Sequence, residues 1–319
     1  MKLCEHPDFE QAVIRAAAHF RQQGLREAII EKDYYVTEAL RIIAGFGEAK
    51  IIFKGGTSLV KGWNLIQRFS EDIDIFLDPR AFEPPLGKNG INRELKNLRD
   101  VVNGHPALTF VPEQSQTVGG FGRNDIFSYH QRFGGAGEVP PRVLLEAGTA
   151  SGREPTSIIS LRSYLGQFLE ETGASLKCED EGRFTMRLLH FRRTFVEKMF
   201  AIHSKVELLK KGQPLGTYAR HYYDLFQLAG QPDVKAMLKS IEYDALKKDY
   251  DEISREHFPD SYFHPSDMSF ANSDALFPPA ELSAVIATQY EAQCRILCYG
   301  AFPSWPEVQQ RFVELRDLL

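Results

Sequence analysis

The chain has 319 residues, of which 43% are apolar and 25% charged, and its net charge is −5. This length suits one large domain or two smaller ones, and the composition is that of a soluble globular protein rather than one coated with nucleic acid. No apolar run is long enough to cross a bilayer, and the polar N-terminus is unlike a secretory signal. The four scattered cysteines indicate neither a disulfide framework nor a zinc site. A cytoplasmic protein with reduced thiols is expected.

Residues 8 to 47 predict two helices, separated at Gly24, because apolar residues recur there at helical spacing. The second helix carries Glu31, Lys32 and Asp33 in succession. Three neighbouring charges of mixed sign are typical of an ion-paired turn on the surface of a helix.

The stretch from Lys50 to Pro79 predicts a strand, a glycine turn, a helix and a second strand. The strand covers Ile51 to Phe53, and the turn lies at Gly55 and Gly56. The helix is expected from about Thr57 to Gln67, and the second strand from Asp72 to Leu77.

Asp72 and Asp74 are two residues apart in the second predicted strand, so both carboxylates face the same side of the sheet. Two acids on one small patch repel each other unless a cation lies between them, and carboxylate oxygens suit Mg²⁺. The glycines upstream let a ligand approach the backbone, and the start of the following helix favours phosphate. A nucleoside triphosphate site is therefore predicted, with a turn beside an exposed strand as the alternative.

Beyond a Pro- and Gly-rich loop, a polar helix is predicted near Asn92 to Asn103, followed by short glycine-separated strands from Ala107 to Gly137. Residues 141 to 148 predict another buried strand, with Glu146 at the end of its apolar run. A buried acid without a partner is costly, so Glu146 either reaches solvent or joins the two aspartates as a third carboxylate.

In the second half, Ser157 to Glu171 is predicted to be helical and Arg183 to Leu189 to be a strand. The helix expected from Arg192 to Lys211 has an apolar stripe, with Lys198 at its border. Lys198 either extends outward to solvent or points to a triphosphate held by the first domain.

A helix with Thr217 as its N-cap is predicted to reach Ala229, and the rest of the chain is expected to be mainly helical. Asp224 lies off the apolar face of this helix, which indicates a solvated acid or a partner for Arg220. From Arg183 to Arg220 the sequence contains nine basic residues but only two acidic ones. The basic residues form either a solvated helix face or a patch that attracts a polyanion.

Four stretches together resemble AbiEii-type nucleotidyltransferases, the toxins of AbiE-like and MenA/MenT-like toxin–antitoxin systems, within the polymerase β-like superfamily. They are, in chain order, IIEKDYYVTEAL, FKGGTSLVKGWNLIQRFSEDIDI, RTFVEKMFAIH and YARHYYDLFQLA. The resemblance implies an α/β (α+β) fold with a small mixed sheet in a nucleotidyltransferase domain at residues 49–175. N-terminal helices at 1–48 would pack on this domain, and a mainly helical domain at 176–319 would contribute Lys198 and Asp224.

The resemblance also implies roles for particular residues. The metal ligands, for Mg²⁺ or Mn²⁺, would be Asp72, Asp74 and Glu146. The nucleotide-binding residues would be Gly55, Gly56, Thr57, Ser58, Lys61 and Lys198. The catalytic residues would be Asp72, Asp74, Lys198, Asp224 and Glu146.

The activity expected on these grounds is transfer of a nucleotide from an NTP to the 3′ acceptor end of tRNA, which blocks translation. A cognate protein antitoxin and a monomeric state are expected as well. One alternative keeps the chemistry but changes the acceptor to a protein hydroxyl or a small molecule such as an aminoglycoside. Another is a catalytically silent module that binds NTP or the antitoxin.

Overall fold

The computed structural model describes residues 1–47, 49–70, 72–134 and 139–319, and it divides into two compact units. The sheet unit comprises Met1–Asn64, Phe69–Thr149 and Thr156–Leu189. The helical unit comprises Leu65–Arg68, Ala150–Pro155 and His190–Leu319. Within the described ranges, no helix is both long enough and apolar enough to cross a membrane.

The sheet unit contains a mixed sheet with helices beside it. Its helices are α1 (Phe9–His19), α2 (Glu27–Ala44), α3 (Gly55–Lys61), α4 (Lys88–Asn103) and α5 (Tyr164–Thr172). Its strands are β1 (Ile51–Lys54), β2 (Asp72–Leu77), β3 (Thr109–Phe110), β4 (Gln116–Val118), β5 (Gly122–Ser128), β6 (Arg142–Gly148), β7 (Thr156–Leu161) and β8 (Phe184–Leu189).

The strands are ordered β3-β5-β6-β2-β1-β8-β7, and β4 pairs with β5. The pairs β2–β6 and β1–β8 are parallel, and the other pairs are antiparallel. The α/β prediction with a small mixed sheet is thereby confirmed. The division at residue 175 stays a prediction, and β8 is hydrogen-bonded to β1 within the sheet unit.

Strand alternation separates the core face of the sheet from its polar face. Ile73, Ile75 and Leu145 are at most 1% exposed and lie on the core face. Asp72, Asp74 and Glu146 occupy the alternate positions and lie together on the other face. The shared face predicted for the two aspartates is therefore confirmed.

The helical unit is built around α6. Its helices are α6 (Phe191–Lys210), α7 (His221–Ala229), α8 (Pro232–Leu238), α9 (Ile241–His257), α10 (Ala280–Leu297) and α11 (Trp305–Val313). On α6, the predicted apolar stripe is confirmed, since Phe195, Met199, Ile202 and Val206 are all fully buried.

Three of the predicted helices were wrong in type or extent. The beginning of the stretch from Ser157 to Glu171 belongs to strand β7 (Thr156–Leu161), and α5 begins only at Tyr164. β7 forms because its residues pair with β8 along their whole length, a long-range contact that local periodicity does not reveal. The helix at Thr57 to Gln67 is shorter than predicted, since α3 begins at Gly55 and ends at Lys61.

The helix predicted from Thr217 begins later. Residues Gly216–Arg220 form a 3-10 helix and α7 starts at His221, so Thr217 is not an N-cap. The glycine-separated strands predicted from Ala107 onward are confirmed as β3, β4 and β5. The end of that stretch, Gly135 to Gly137, lies outside the described residues.

Candidate functional site

The glycine corner after β1 lies directly against Asp74. Gly55 has a φ of +74°, and a Cβ added there would overlap the carboxylate of Asp74. Lys54, the last residue of β1, is the registered partner of Asp74 on β2. Only glycine satisfies both the left-handed backbone and the close approach, so α3 can begin immediately beside the second aspartate.

The hydroxyl groups that follow the glycines hold this corner in place. Thr57 Oγ1 donates to the backbone carbonyl of Asp72 at 2.6 Å and lies 3.0 Å from Ser70 Oγ. Ser58 Oγ donates to the carbonyl of Gly55 at 2.8 Å. Both side chains are almost fully buried, so these hydroxyls fix the first turn of α3 against the start of β2.

Strand pairing places the three predicted acids on one face of the sheet, with Glu146 directly opposite Asp74. In the parallel pair β2–β6, Asp74 is opposite Glu146 and Asp72 is opposite Leu144. Burial, followed by the charges of Asp74 and Asp72, raises the pKa of Glu146 to about 8, and the Glu146 carboxyl hydrogen-bonds Asp74. Without a cation, burial and the neighbouring acids therefore favour the protonated form of Glu146 at neutral pH.

The donor set fits a hard divalent cation. Among the described residues, no three acidic, histidine or cysteine side chains already converge as a metal cluster. Asp74 and Glu146, however, are adjacent half-buried carboxyl groups, and one or two carboxylates are what a Mg²⁺ site usually takes from the protein. Their mutual repulsion, visible in the raised pKa of Glu146, is the feature that a bound cation would relieve.

Lys61, predicted to bind nucleotide, is engaged with another side chain in this structure. Its Nζ forms an ion pair with Asp33 on α2 and lies 5.4 Å from the centre of the Tyr164 ring. Asp33 also accepts a hydrogen bond from the amide of Tyr164 at 2.8 Å. Lys61 thus links α3 to α2 and α5, and its contact with a nucleotide stays a prediction.

The surface ion-paired turn predicted for Glu31, Lys32 and Asp33 was wrong, because each side chain reaches a different distant partner. Glu31 accepts hydrogen bonds from the amides of Arg132 and Phe133. Lys32 donates to backbone carbonyls at the start of β6, and Asp33 pairs with Lys61. Glu31 and Lys32 are buried and Asp33 is half-buried, and all three connect α2 to distant segments of the sheet unit.

The other two predicted catalytic residues, Lys198 and Asp224, lie together in the helical unit. Lys198 Nζ is 2.8 Å from Asp224 Oδ2 and 3.0 Å from His221 Nδ1. Arg68 binds the same carboxylate through two hydrogen bonds of 2.6 and 2.8 Å. Asp224 is fully buried, so the solvated acid expected from the helix pattern was wrong, while its pairing with Arg220 stays a prediction.

The electrostatics of this cluster follow from two cations sharing one carboxylate. Burial by itself would raise the pKa of Asp224, but Arg68 and Lys198 outweigh it and hold that pKa well below its usual range. Burial lowers the pKa of Lys198 more than Asp224 raises it. Burial and the Lys198 charge lower the pKa of His221 to about 3, so its neutral ring accepts the Lys198 hydrogen bond.

Sequence reasoning did not single out Arg68 or His221. Both lie inside the stretches that carry the family resemblance, Arg68 four residues before Asp72 and His221 three before Asp224. One signal was available, because Asp224 lies in a mainly apolar helix and a buried acid needs a cation as its partner. The sequence does not show which basic residue that partner is, since folding brings the two together.

Ion pairs within each unit neutralise part of the basic stretch from Arg183 to Arg220. The pairs are Arg183–Glu170, Arg192–Glu242, Arg193–Glu197 and Lys210–Asp274. The surplus of positive charge counted along the sequence is therefore smaller in the fold. Binding of a polyanion along this stretch stays a prediction.

Comparison with family models identifies the family of this chain. The family model for the AbiEii nucleotidyltransferase toxin of type IV toxin–antitoxin systems matches residues 39–295. The solved structure of MenT4, a nucleotidyltransferase toxin from Mycobacterium tuberculosis H37Rv, aligns with a TM-score of 0.53 at 16% identity. The alignment covers 97% of this chain and 89% of that one, and at this identity it shows a similar fold. Comparison with curated protein sequences gives no significant match.

Proposed function

Because the chain belongs to the AbiEii family of nucleotidyltransferase toxins of type IV toxin–antitoxin systems, we propose that it transfers a nucleotide from an NTP to the 3′ end of tRNA. In this proposal the transfer depends on a divalent metal and stops translation. A type IV system implies a cognate antitoxin as the biological partner.

The observation that supports the proposal most strongly is the acid pair beside the glycine corner. Asp74 is in register with Glu146 on one side and abuts Gly55 on the other. The same face also carries Asp72, whose backbone carbonyl is bonded by Thr57. Carboxylates next to an unobstructed backbone corner are what a metal-bound triphosphate requires.

Asp72, Asp74 and Glu146 would hold Mg²⁺, which when bound would activate the attacking hydroxyl and neutralise charge on the triphosphate. In the transfer, the acceptor hydroxyl oxygen forms a bond to the α-phosphorus and gives its proton to solvent. The bond between the α-phosphorus and the bridging oxygen breaks, and pyrophosphate leaves. The contribution of the carboxylates is to fix where the nucleotide lies relative to that hydroxyl.

Other residues have roles that do not involve the metal. Gly55 and Gly56 carry no side chain that could obstruct phosphate, while Thr57 and Ser58 hold the corner rigid. We assign Lys198 to charge compensation on the triphosphate. Its support is that Lys198 and Arg68 are two cations facing the single carboxylate of Asp224. Asp224 positions both of them.

The assignment of tRNA as acceptor is supported by the family resemblance. Purified protein is incubated with Mg²⁺, total tRNA and each of the four α-labelled NTPs, and the label is followed into RNA, protein and small molecules. Label in RNA supports the proposal. Label in protein or in an added aminoglycoside would show that the acceptor is that molecule and not tRNA. No transfer with any of the four NTPs would contradict the proposed chemistry.

The matched variants are Asp74→Asn at the site and Asp100→Asn on the exposed end of α4. Both remove one negative charge and keep the side-chain shape. Asp74→Asn is expected to abolish transfer and to relieve growth arrest on expression, whereas Asp100→Asn retains both. If the protein binds NTP and Asp74→Asn does not differ from the parent protein in transfer or growth arrest, a catalytically silent module would be favoured.

A further inference from the structure

A row of polar side chains crosses the sheet at the level of the acid pair. Lys54 on β1 is opposite Asp74, Asp74 is opposite Glu146, and Glu146 is opposite Asn124 on β5. Registered partners point to the same face, so these four side chains stand side by side. Gln116 on β4 continues the row beyond Asn124.

Asn124 contacts Glu146 directly. Its Nδ2 donates a hydrogen bond of 3.2 Å to Oε1 of Glu146. The other neighbour of Glu146 in the row is Asp74, so Glu146 has a neutral donor on one side and an acid on the other. The amide holds one carboxyl oxygen of Glu146 without adding charge.

The Asn124 side chain is not required to hold β5 in place. The backbone of β5 is paired with β6 in register from Gly122 to Ser128. Side chains on the core face of the same strand, including the fully buried Phe127, supply its packing. The contact made by the Asn124 amide is therefore with the Glu146 carboxyl, and β5 does not depend on it for its position.

We infer that Asn124 is a positioning residue that orients the Glu146 carboxyl for metal and nucleotide binding. The inference rests on the proposed function, because it assigns Glu146 a ligand role. Hydrogen-bond partners of metal-ligating carboxylates set ligand orientation, and their loss typically weakens metal affinity or activity by ~10–100-fold.

The test compares Asn124→Leu, which is similar in shape but has no donor, with Asn124→Gln, which keeps the amide. Gln116→Leu is the matched control, because Gln116 is exposed in the same row and lies one strand farther from Glu146. Mn²⁺ affinity of the full-length protein is measured by calorimetry, together with nucleotide transfer and thermal midpoint.

Asn124→Leu is expected to weaken Mn²⁺ binding ~10–100-fold and to lower kcat, with an unchanged thermal midpoint. Asn124→Gln should recover part of the lost Mn²⁺ affinity and kcat, and Gln116→Leu should match the parent protein in both. In a Glu146→Ala background, Asn124→Leu should cause no further loss of either. Parent-like affinity in Asn124→Leu, or a loss that follows unfolding, would overturn the positioning role alone. If the parent protein neither binds Mn²⁺ nor transfers nucleotide, the proposed function falls and the inference falls with it.

Discussion

Arg68 and Asp224 form a fully buried, two-pronged ion pair, with Nε to Oδ1 at 2.6 Å and Nη2 to Oδ2 at 2.8 Å. Their side chains are 1% and 0% exposed. Lys198 shares the same carboxylate, so three charged groups depend on one another in the helical unit. A buried network of this kind is costly to break, because each remaining charge loses its compensation without regaining water.

Asp224→Ala is therefore expected to lower the free energy of unfolding by ~3–5 kcal/mol. The reason is that Arg68 and Lys198 both lose their shared carboxylate inside the fold. Urea denaturation measures the loss. A combined Arg68→Met and Asp224→Ala variant should be less destabilised than the two single losses summed. An Asp224→Ala protein as stable as the parent would show that the network is not stabilising.

Gly55→Ala is expected to abolish nucleotide transfer and to destabilise the fold, because alanine meets two obstacles at this position. One is the left-handed backbone, and the other is the Asp74 carboxylate that occupies the space of a Cβ. Gly173→Ala is the matched control. Gly173 also has a positive φ, but an added Cβ there meets nothing within 4 Å, so only the backbone cost of ~1–2 kcal/mol remains.

The comparison of these two glycine variants uses thermal unfolding and nucleotide transfer together. Gly173→Ala should lose some stability and keep its activity per folded molecule. If Gly55→Ala loses no more stability than Gly173→Ala and transfers nucleotide normally, the close approach of the glycine corner to Asp74 is unimportant.

Lys61→Met is expected to lower the free energy of unfolding by ~3–5 kcal/mol, because Asp33 is only 9% exposed and would lose its cation. Lys96→Met on the exposed face of α4 is the control and should leave stability nearly unchanged. The KM for NTP of the same Lys61→Met protein tests the predicted nucleotide contact separately. Unchanged unfolding of Lys61→Met would contradict the anchoring role.

His105 makes stability depend on pH in the acid range. Burial lowers the pKa of His105 to about 4, and its Nε2 is buried with no hydrogen-bond partner among the described residues. The unfolded chain, with a pKa near 6.5, binds a proton more readily, so stability is lost as pH falls from about 6.5 to about 4. This contribution is at most ~3 kcal/mol, at 1.36 kcal/mol per pKa unit.

His105→Gln should therefore lose less stability than the parent protein between pH 7 and pH 4.5. His130→Gln, at an exposed position, should keep the parent slope. Denaturant titrations at several pH values measure both slopes. Parallel curves for His105→Gln and the parent would contradict the assignment.

The sequence correctly predicted those elements that show a regular spacing of apolar residues, every second residue in a strand or every three to four residues in a helix. Strand β2 begins and ends at the residues expected from alternation, and the apolar stripe of α6 is fully buried. The common face of Asp72 and Asp74 also follows from a two-residue period alone. The roles of these acids in binding metal and nucleotide stay predictions.

Features that depend on distant partners could not be predicted in this way. Strand β7 looked helical because its short apolar run carries no clear period, and pairing with β8 decides its conformation. Asp224 looked solvated because its partner Arg68 is far away in the sequence. Glu31, Lys32 and Asp33 looked like one turn, although each contacts a different segment.

The parallel pairing of β2 with β6 joins two strands that are made at different stages of synthesis. Both aspartates are synthesised early, but β6 emerges from the ribosome only after α4 and β3 to β5. A nascent or prematurely terminated chain that stops before Arg142 lacks Glu146 and the strand that supports Asp74. The pair of Asp74 and Glu146 therefore forms only after β6 has been made, and a chain that stops before Arg142 lacks it.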